Sequence, residues 1–417
     1  MPNNPHPARR DNKGDESRSY LARTAPGFHI NAEQRVMIVT GEASGDMHGA
    51  RLVRAMQEKR PELSFCGMGG DQLAAAGVEL LYDAHKLAVV GITEVFSHLG
   101  DILAARKTLI QRLREERPDL LILIDFPDFN LLLARKAKRL GIPIFYYITP
   151  QVWAWRKGRT RTIGRLTDRI GVILPFEKEF FARYGIQADF VGHPLVDGVK
   201  TSMTRAEFLG RYKIPAHNRL IGLLPGSRSR EIANLLPDFL AAAARLASKT
   251  NQACTFLLPR AASVSHELLK EHGLAEYENE LDIRVLDAHR YDLMTACEGV
   301  MAASGTVLLE LALLDVPAVA CYRVSPRTYR IGRLLVRDVE FFSLVNLIAG
   351  REVHPELLQD AVTPKRIADE LSVMLAGGTK RKEVLAGLAE VRQRLGGPGA
   401  SERAARIALE LLEHATG

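Results

Sequence analysis

The sequence predicts an α/β protein of two doubly wound domains, and three observations carry that prediction. Short Val/Ile/Leu-rich runs with no polar alternation recur between stretches of apolar period near 3.6, the pattern of buried parallel strands linked by helices. Several of those runs end in a glycine or Ser/Thr turn and pass straight into a helix. The alternation stops in a polar stretch after "ADFVGHPLVDGV" and restarts near Asn218, so the domain hinge is placed there.

Taken in order, "QRVMIVTGEASGDMHGARLVRAMQEK" is a strand, a glycine loop and a helix. "PELSFCGMGGD" repeats strand and glycine loop, and "VVGITEVFSHLGDILAARKTLIQRLREERP" reads as a long helical stretch. Strand "LLILID", helix "NLLLARKAKRLG" and strand "IPIFYYIT" follow. Past the hinge come strand "LIGLLPGS", helix "EIANLLPDFLAAAARLA", strands "ACTFLLP", "IRVLD" and "GVMAAS", helix "TVLLELALLD", strand "PAVACY" and closing helices that include "AARIALELLEHA". The expected organisation is a basic disordered extension over 1–32, a first domain over 33–192, a second over 193–380, and C-terminal helices over 381–417 that pack back or swap.

Composition narrows the function. With 417 residues, 47% apolar and 25% charged, the chain can bury two sizeable cores. Lys and Arg number 56 against 49 Asp and Glu, a net charge of +7 that suits an anionic substrate or membrane surface and is too small to argue for nucleic acid. The four cysteines form no C-x-x-C pair and read as reduced core thiols. No apolar run approaches the roughly 18 residues of a membrane span. No H-E-x-x-H or similar ligand spacing and no G-x-S-x-G elbow occurs, so neither a metal site nor a serine hydrolase is expected.

The chemistry gathers at the strand ends. In "LLPGSRSREI", Gly226, Ser227 and Arg228 form a turn whose N–H groups, helix N-terminus and guanidinium can hold an anion. Ser227 can also simply cap that helix, with Glu231 near its first turn. In "AASGTVLLE", Ser304, Gly305 and Thr306 repeat the logic, and Glu310 lies one turn further on, at the distance of a ribose diol; a cap and a surface glutamate is the plainer reading. Two such loops in one domain favour a nucleoside diphosphate. "GEASGD" (Gly41, Glu42, Ser44, Gly45) is a tight turn at which backbone can approach a ligand, but it is neither a dinucleotide fingerprint nor a P-loop. In "IDFPDFN", Asp125 suits a general base whose pKa burial raises, and Asp128 suits the cap of a helix starting near Asn130. "PQVWAWRKGRTR" sets Trp153 and Trp155 beside Arg156, Lys157, Arg159 and Arg161, which can stack on a sugar and hold a phosphate, bind nucleic acid, or form a solvated face. Val95, Phe96, Leu99, Ile102 and Leu103 share one helical stripe, either core or lipid-facing, and "YRIGRLLVRD" poses the same question.

The motifs "GEASGD", "IDFPDFN", "PQVWAWR", "LPFE", "GHPLVD", "LLPGSRSRE", "ASGTVLLE" and "NLIAGRE", in that order from about Arg35 to the C-terminal helices, resemble the lipid-A-disaccharide synthase family. The resemblance implies an inverting, metal-independent GT-B glycosyltransferase with two Rossmann-like domains facing an interdomain cleft and no cofactor. It implies transfer from UDP-2,3-diacylglucosamine to 2,3-diacylglucosamine 1-phosphate, a β-1′,6 bond and release of UDP, in lipid A biosynthesis. It assigns Asp125 as base, Arg228 with Ser304, Gly305 and Thr306 as UDP contacts, and Glu310 as ribose contact. Gly41, Glu42, Ser44, Gly45, Asp128, Asn130, Trp155, Gly226 and Ser227 join the expected substrate-binding set. Asn346 and Arg351 in "NLIAGRE" approach the nucleotide from the same chain or from a swapped partner subunit, so the expected state is a domain-swapped homodimer or a monomer. The Val95–Leu103 stripe matches a membrane and acyl-chain region, which implies a peripheral protein on the cytoplasmic face of an inner membrane. Thr149 stands where the family often has Ser, and Thr93 is polar where an apolar residue is expected. A UDP-N-acetylglucosamine 2-epimerase, a hydride-transferring Rossmann enzyme and a non-catalytic binding module are the competing readings.

Overall fold

Two parallel sheets, each covered by helices on both faces, organise the computed structural model, which describes residues 34–87, 99–155, 158–250, 252–325, 329–330 and 340–415. The first sheet comprises β1 (Arg35–Val39), β2 (Ser64–Gly69), β3 (Glu79–Asp83), β4 (Leu120–Ile124), β5 (Ile144–Tyr147), β6 (Arg169–Val172) and β7 (Asp189–Phe190), in the spatial order β3-β2-β1-β4-β5-β6-β7. The second comprises β8 (Arg219–Leu224), β9 (Cys254–Pro259), β10 (Asp282–Leu286), β11 (Gly299–Ala303), β12 (Ala318–Tyr322) and β13 (Glu356–Leu358), in the order β10-β9-β8-β11-β12-β13. The peripheral elements β3, β6, β7 and β13 escape the sequence reading because they carry fewer apolar residues or only two or three positions.

Strand composition follows burial. All five residues of β4 and all five of β11 are buried, as a central strand covered on both faces requires. In each sheet the chain runs outward from a central strand and then returns to its other side, which puts the order reversal between β1 and β4 in one domain and between β8 and β11 in the other. A crevice opens at such a reversal beyond the carboxyl ends of the strands, the usual ligand position in open α/β sheets.

The domains are joined twice. The polar link from Gly198 to Thr204 is held by Asp292, whose carboxylate accepts the Ser202 N–H at 2.7 Å and the Met203 N–H at 2.8 Å. The helix Thr379–Arg394 packs on the second domain, whereas the last helix, Ala400–Ala415, returns to the first and places Ala404, Ala405, Ala408 and Leu412 in one core with Val36, Ile38, Leu120 and Phe145. Asp197 fastens that return, accepting the Gly399 N–H at 2.8 Å and the Ala400 N–H at 3.3 Å.

Among the described residues no helix is long and apolar enough to cross a membrane, and no group of three or more His, Cys, Asp or Glu is placed to hold a metal. Cys66, Cys297 and Cys321 are buried free thiols; Cys254 is only half-buried. Val95, Phe96, the side chains of Leu99 and Trp155, Arg156, Lys157, the stretch 331–339 and the N-terminal 33 residues lie outside what the structure describes. Of the proposed stripe, Ile102 packs against the first core and Leu103 is 52% exposed.

Candidate active site

The reversal in the first sheet brings Gly41–Gly45, after β1, against Asp125–Phe126, after β4. A Cβ on Gly41 would lie 2.3 Å from the Phe126 ring, so only glycine lets the two loops touch. Asp125 and Phe126 both take left-handed backbone, with φ of 44° and 45°. For two consecutive non-glycine residues such strain costs on the order of 1–3 kcal/mol each and persists only where neighbours enforce it. Three neighbours do: the Asp125 N–H donates to the Ile148 carbonyl at 3.0 Å, and the Asp125 carbonyl accepts the Tyr146 hydroxyl at 2.7 Å and the Asn130 amide at 2.8 Å.

The half-buried Asp125 carboxyl is raised to a pKa of about 6, first by burial and then by the neighbouring charge of Glu42; a hydrogen bond from the Phe126 N–H pulls the other way. Glu42 and Ser44 are exposed at the N-terminus of the helix Ala43–Lys59. Asp46, by contrast, is structural: its carboxylate accepts the Gly70, Gln72 and Leu73 N–H groups at 2.7, 2.9 and 3.2 Å.

Two expectations about this loop are corrected. The helix after β4 is Pro127–Arg139, with Phe126 as its cap residue, so Asp128 lies inside the first turn, exposed and paired with Arg159 instead of capping. Proline's fixed φ starts the helix early. Asn130, where the helix was expected to begin, is instead inside its first turn and fully buried, and its amide holds the Ile124 and Asp125 carbonyls, which braces the loop.

The second reversal places Gly226–Arg228 beyond β8 and Ser304–Thr306 beyond β11. Gly226 has φ 115°, open only to glycine. Ser227 does not cap the following helix, Ser229–Lys249, whose cap residue is Arg228. Glu231 does the capping, accepting the Ser227 N–H at 2.9 Å and the Arg228 N–H at 3.3 Å. The Arg228 side chain is left 83% exposed. Gly305 and Thr306 are exposed at the start of the helix Thr306–Leu313, and the Ser304 N–H is tied to the Cys321 carbonyl at 2.8 Å. Glu310 is not a surface residue: it is 5% exposed, paired with Arg290 and hydrogen-bonded by the Tyr291 hydroxyl at 3.4 Å.

The "NLIAGRE" segment also differs from expectation. Asn346 is fully buried, its amide donating to the His354 carbonyl and the Glu356 carboxylate at 2.9 Å each, its oxygen accepting the Val353 and His354 N–H groups. All four of its hydrogen-bonding valences are spent inside the protein, so it shapes the segment and has none left for a nucleotide. Arg351 pairs with Glu390 at 2.7 Å. Between the domains, a cavity of about 620 Å³ is walled by Trp153, Phe176, Phe180, Tyr184, Phe341 and Leu347. Trp153 is half-buried, with its ring edge-on to Phe176 at 5.0 Å.

Sequence reasoning missed His48 and Arg51, which follow Ser44 at helical spacing on the helix Ala43–Lys59, and His193 and Arg290. Burial holds the imidazole pKa values of His48 and His193 down at about 4 and about 3, so both are neutral near pH 7. Arg51 reaches the Pro194 carbonyl at 3.3 Å and ties the first domain to the hinge. The i, i+4, i+7 polar stripe was the available signal.

Residues 36–410 match the family model described as Lipid-A-disaccharide synthetase. The lipid-A-disaccharide synthase of Geobacter sulfurreducens is 47% identical over 386 residues, covering 92% of this chain and 98% of that protein. The Myxococcus xanthus protein of the same name is 46% identical over 379 residues, covering 91% and 97%. Among solved structures, the glycotransferase of kitacinnamycin superposes with a TM-score of 0.61 at 18% identity, covering 91% of this chain and 100% of that one. The UDP-GlcNAc 2-epimerase of Neisseria meningitidis gives 0.55 at 12%, again covering 91% and 100%. At these identities the structures establish a shared two-domain GT-B fold.

Proposed function

The chain belongs to the lipid-A-disaccharide synthase family of glycosyltransferases, and on that premise we propose that it joins UDP-2,3-diacylglucosamine to 2,3-diacylglucosamine 1-phosphate, forming the β-1′,6-linked disaccharide 1-phosphate and UDP. One observation carries the reading. Both order reversals hold matching chemistry: a carboxyl with a pKa raised to about 6 in the first domain, and an exposed arginine with the exposed Gly305–Thr306 helix N-terminus in the second.

In this mechanism the acceptor's 6-hydroxyl gives its proton to the Asp125 carboxylate as its oxygen attacks the anomeric carbon. The bond from that carbon to the diphosphate breaks, and its electron pair leaves with UDP. Attack from the face opposite the leaving group inverts the centre. A base near neutral pKa suits a hydroxyl donor. The Arg228 guanidinium and the N–H groups of Thr306 and Val307 take up the charge that grows on the diphosphate, with no metal required. The aromatic cavity and exposed Leu103 offer apolar surface for acyl chains, and the net charge of +7 favours an anionic membrane. We take the protein to act at the cytoplasmic face of that membrane.

The test is UDP release from the two substrates in detergent by wild type, Asp125→Asn and Arg228→Ala. The reading expects a loss of roughly 10²–10⁴-fold for Asp125→Asn with UDP binding kept, and weakened UDP binding for Arg228→Ala. UDP release that needs no acceptor points to an epimerase or hydrolase and overturns it.

A further inference from the structure

Glu177, in the "LPFE" segment, is a buried carboxyl that the chemistry above leaves unused. It lies in the first turn of the helix Pro175–Ala182 and is 2% exposed. Its carboxylate accepts the Leu174 N–H at 3.0 Å and so caps that helix. A cap needs one acceptor oxygen and works as well at the surface, whereas burying a carboxyl costs free energy unless its remaining lone pairs are also used. Burial raises the Glu177 pKa to about 7; the backbone N–H groups of Leu174 and Ile173 and then the Trp153 side chain pull it back, and among the described residues no charged neighbour contributes.

The Trp153 indole nitrogen is buried and makes no well-aligned hydrogen bond, and the Glu177 carboxyl lies near enough to feel its N–H. The Trp153 ring stands edge-on to Phe176, the residue before Glu177, at 5.0 Å. Trp153 and Phe176 both wall the 620 Å³ cavity, and both pack against the core of the second domain, in which Leu174 is buried. One carboxyl therefore links two first-domain segments, Trp153 and Leu174–Phe176, where they meet the second domain. The other titratable groups of the cavity are half-buried Tyr184 and exposed Glu179, Arg183 and Glu340. An ionised carboxylate offers acceptors only, so it can take both backbone N–H groups and the indole N–H together. The protonated acid, like a glutamine amide, presents a donor in place of one acceptor.

We propose that Glu177 is a positioning residue for substrate binding, whose carboxylate sets the Trp153 indole in the wall of the interdomain cavity. This rests on the reading of that cavity as apolar surface for a substrate's acyl chain. The chain has two tryptophans, so a Trp155→Phe protein reports Trp153 alone. Its emission should titrate with a midpoint near pH 7. Glu177→Gln in the same background should flatten that titration, and Asp125→Asn should leave it in place. At pH 8, Glu177→Gln and Trp153→Phe, which keeps a ring and loses the N–H, should each raise the KM of an acylated substrate roughly three- to tenfold with kcat kept. The double variant should go no further than either alone. Emission that ignores pH between 6 and 8, a titration that persists in Glu177→Gln, or losses that add in the double variant would overturn the proposal. So would an unchanged KM in Trp153→Phe, a result that does not depend on Glu177→Gln folding. Wild type that binds short-acyl analogues of both substrates as well as the full-length ones overturns the acyl reading of the cavity instead, and the emission titration tells the two failures apart.

Discussion

Asp125→Asn should lower turnover by roughly 10²–10⁴-fold and make the protein more stable at pH 8. The carboxyl titrates at about 6 in the fold, against 3.8 for a free aspartate. The folded state therefore prefers the protonated form. The stability this lends is fully present below about pH 4 and is lost as pH rises through about 6. Two pKa units correspond to roughly 3 kcal/mol at most, and solvent at the half-buried site lowers that to about 1–2 kcal/mol. Asparagine is nearly isosteric and carries no charge, so it recovers this amount above pH 7 and none below pH 4. Thermal melts of wild type and variant at pH 8, 6 and 4 should show a gap of a few degrees that closes on acidification. The same titration sets the acid limb of wild-type kcat/KM near pH 6, and Glu42→Gln, which removes the second cause of the shift, should move that limb to lower pH. Equal melting at pH 8, or an acid limb at pH 4, would refute the raised pKa and with it the case for Asp125 as base.

Gly41→Ala should cost about 1–3 kcal/mol by overpacking Phe126 and lower kcat while sparing UDP affinity, read by urea melts and turnover. Asn346→Ala should lose about 3 kcal/mol, since it removes four hydrogen bonds and strands buried partners; a wild-type urea midpoint would contradict that network. Asp197→Ala should lower stability by about 1 kcal/mol through loss of a helix cap, and limited proteolysis should then release the Ala400–Ala415 helix first.

The central strands were legible because each is a continuous apolar run bounded by polar or turn residues, and parallel topology forces that pattern. The turns at Gly41, Gly226 and Ser304 were legible for the same reason: a strand that meets a helix with two or three residues between leaves little freedom. Pairings were not. Nothing local tells that Glu42 raises Asp125 or that Arg290 covers Glu310 across 20 positions. Asp128 and Asn130 were misplaced because the helix starts at Pro127, and a shift of a few residues rotates a side chain from cleft to core. Asn346 was expected at the nucleotide through the resemblance alone, and no sequence signal shows that its amide is used up inside the protein.

The returning helix Ala400–Ala415 has a consequence for how the molecule is made. Leu412 joins the core that β1 opens, with nearly the whole chain between them. On the ribosome the first seven strands emerge early, yet part of one face of their sheet, over β4, β5 and β6, stays uncovered until the final helix follows. The early half waits with apolar surface exposed while the second domain is still being synthesised. That half is therefore a natural client for chaperones, and a nascent chain stalled before Ala400 is a half-clad protein primed for aggregation and removal.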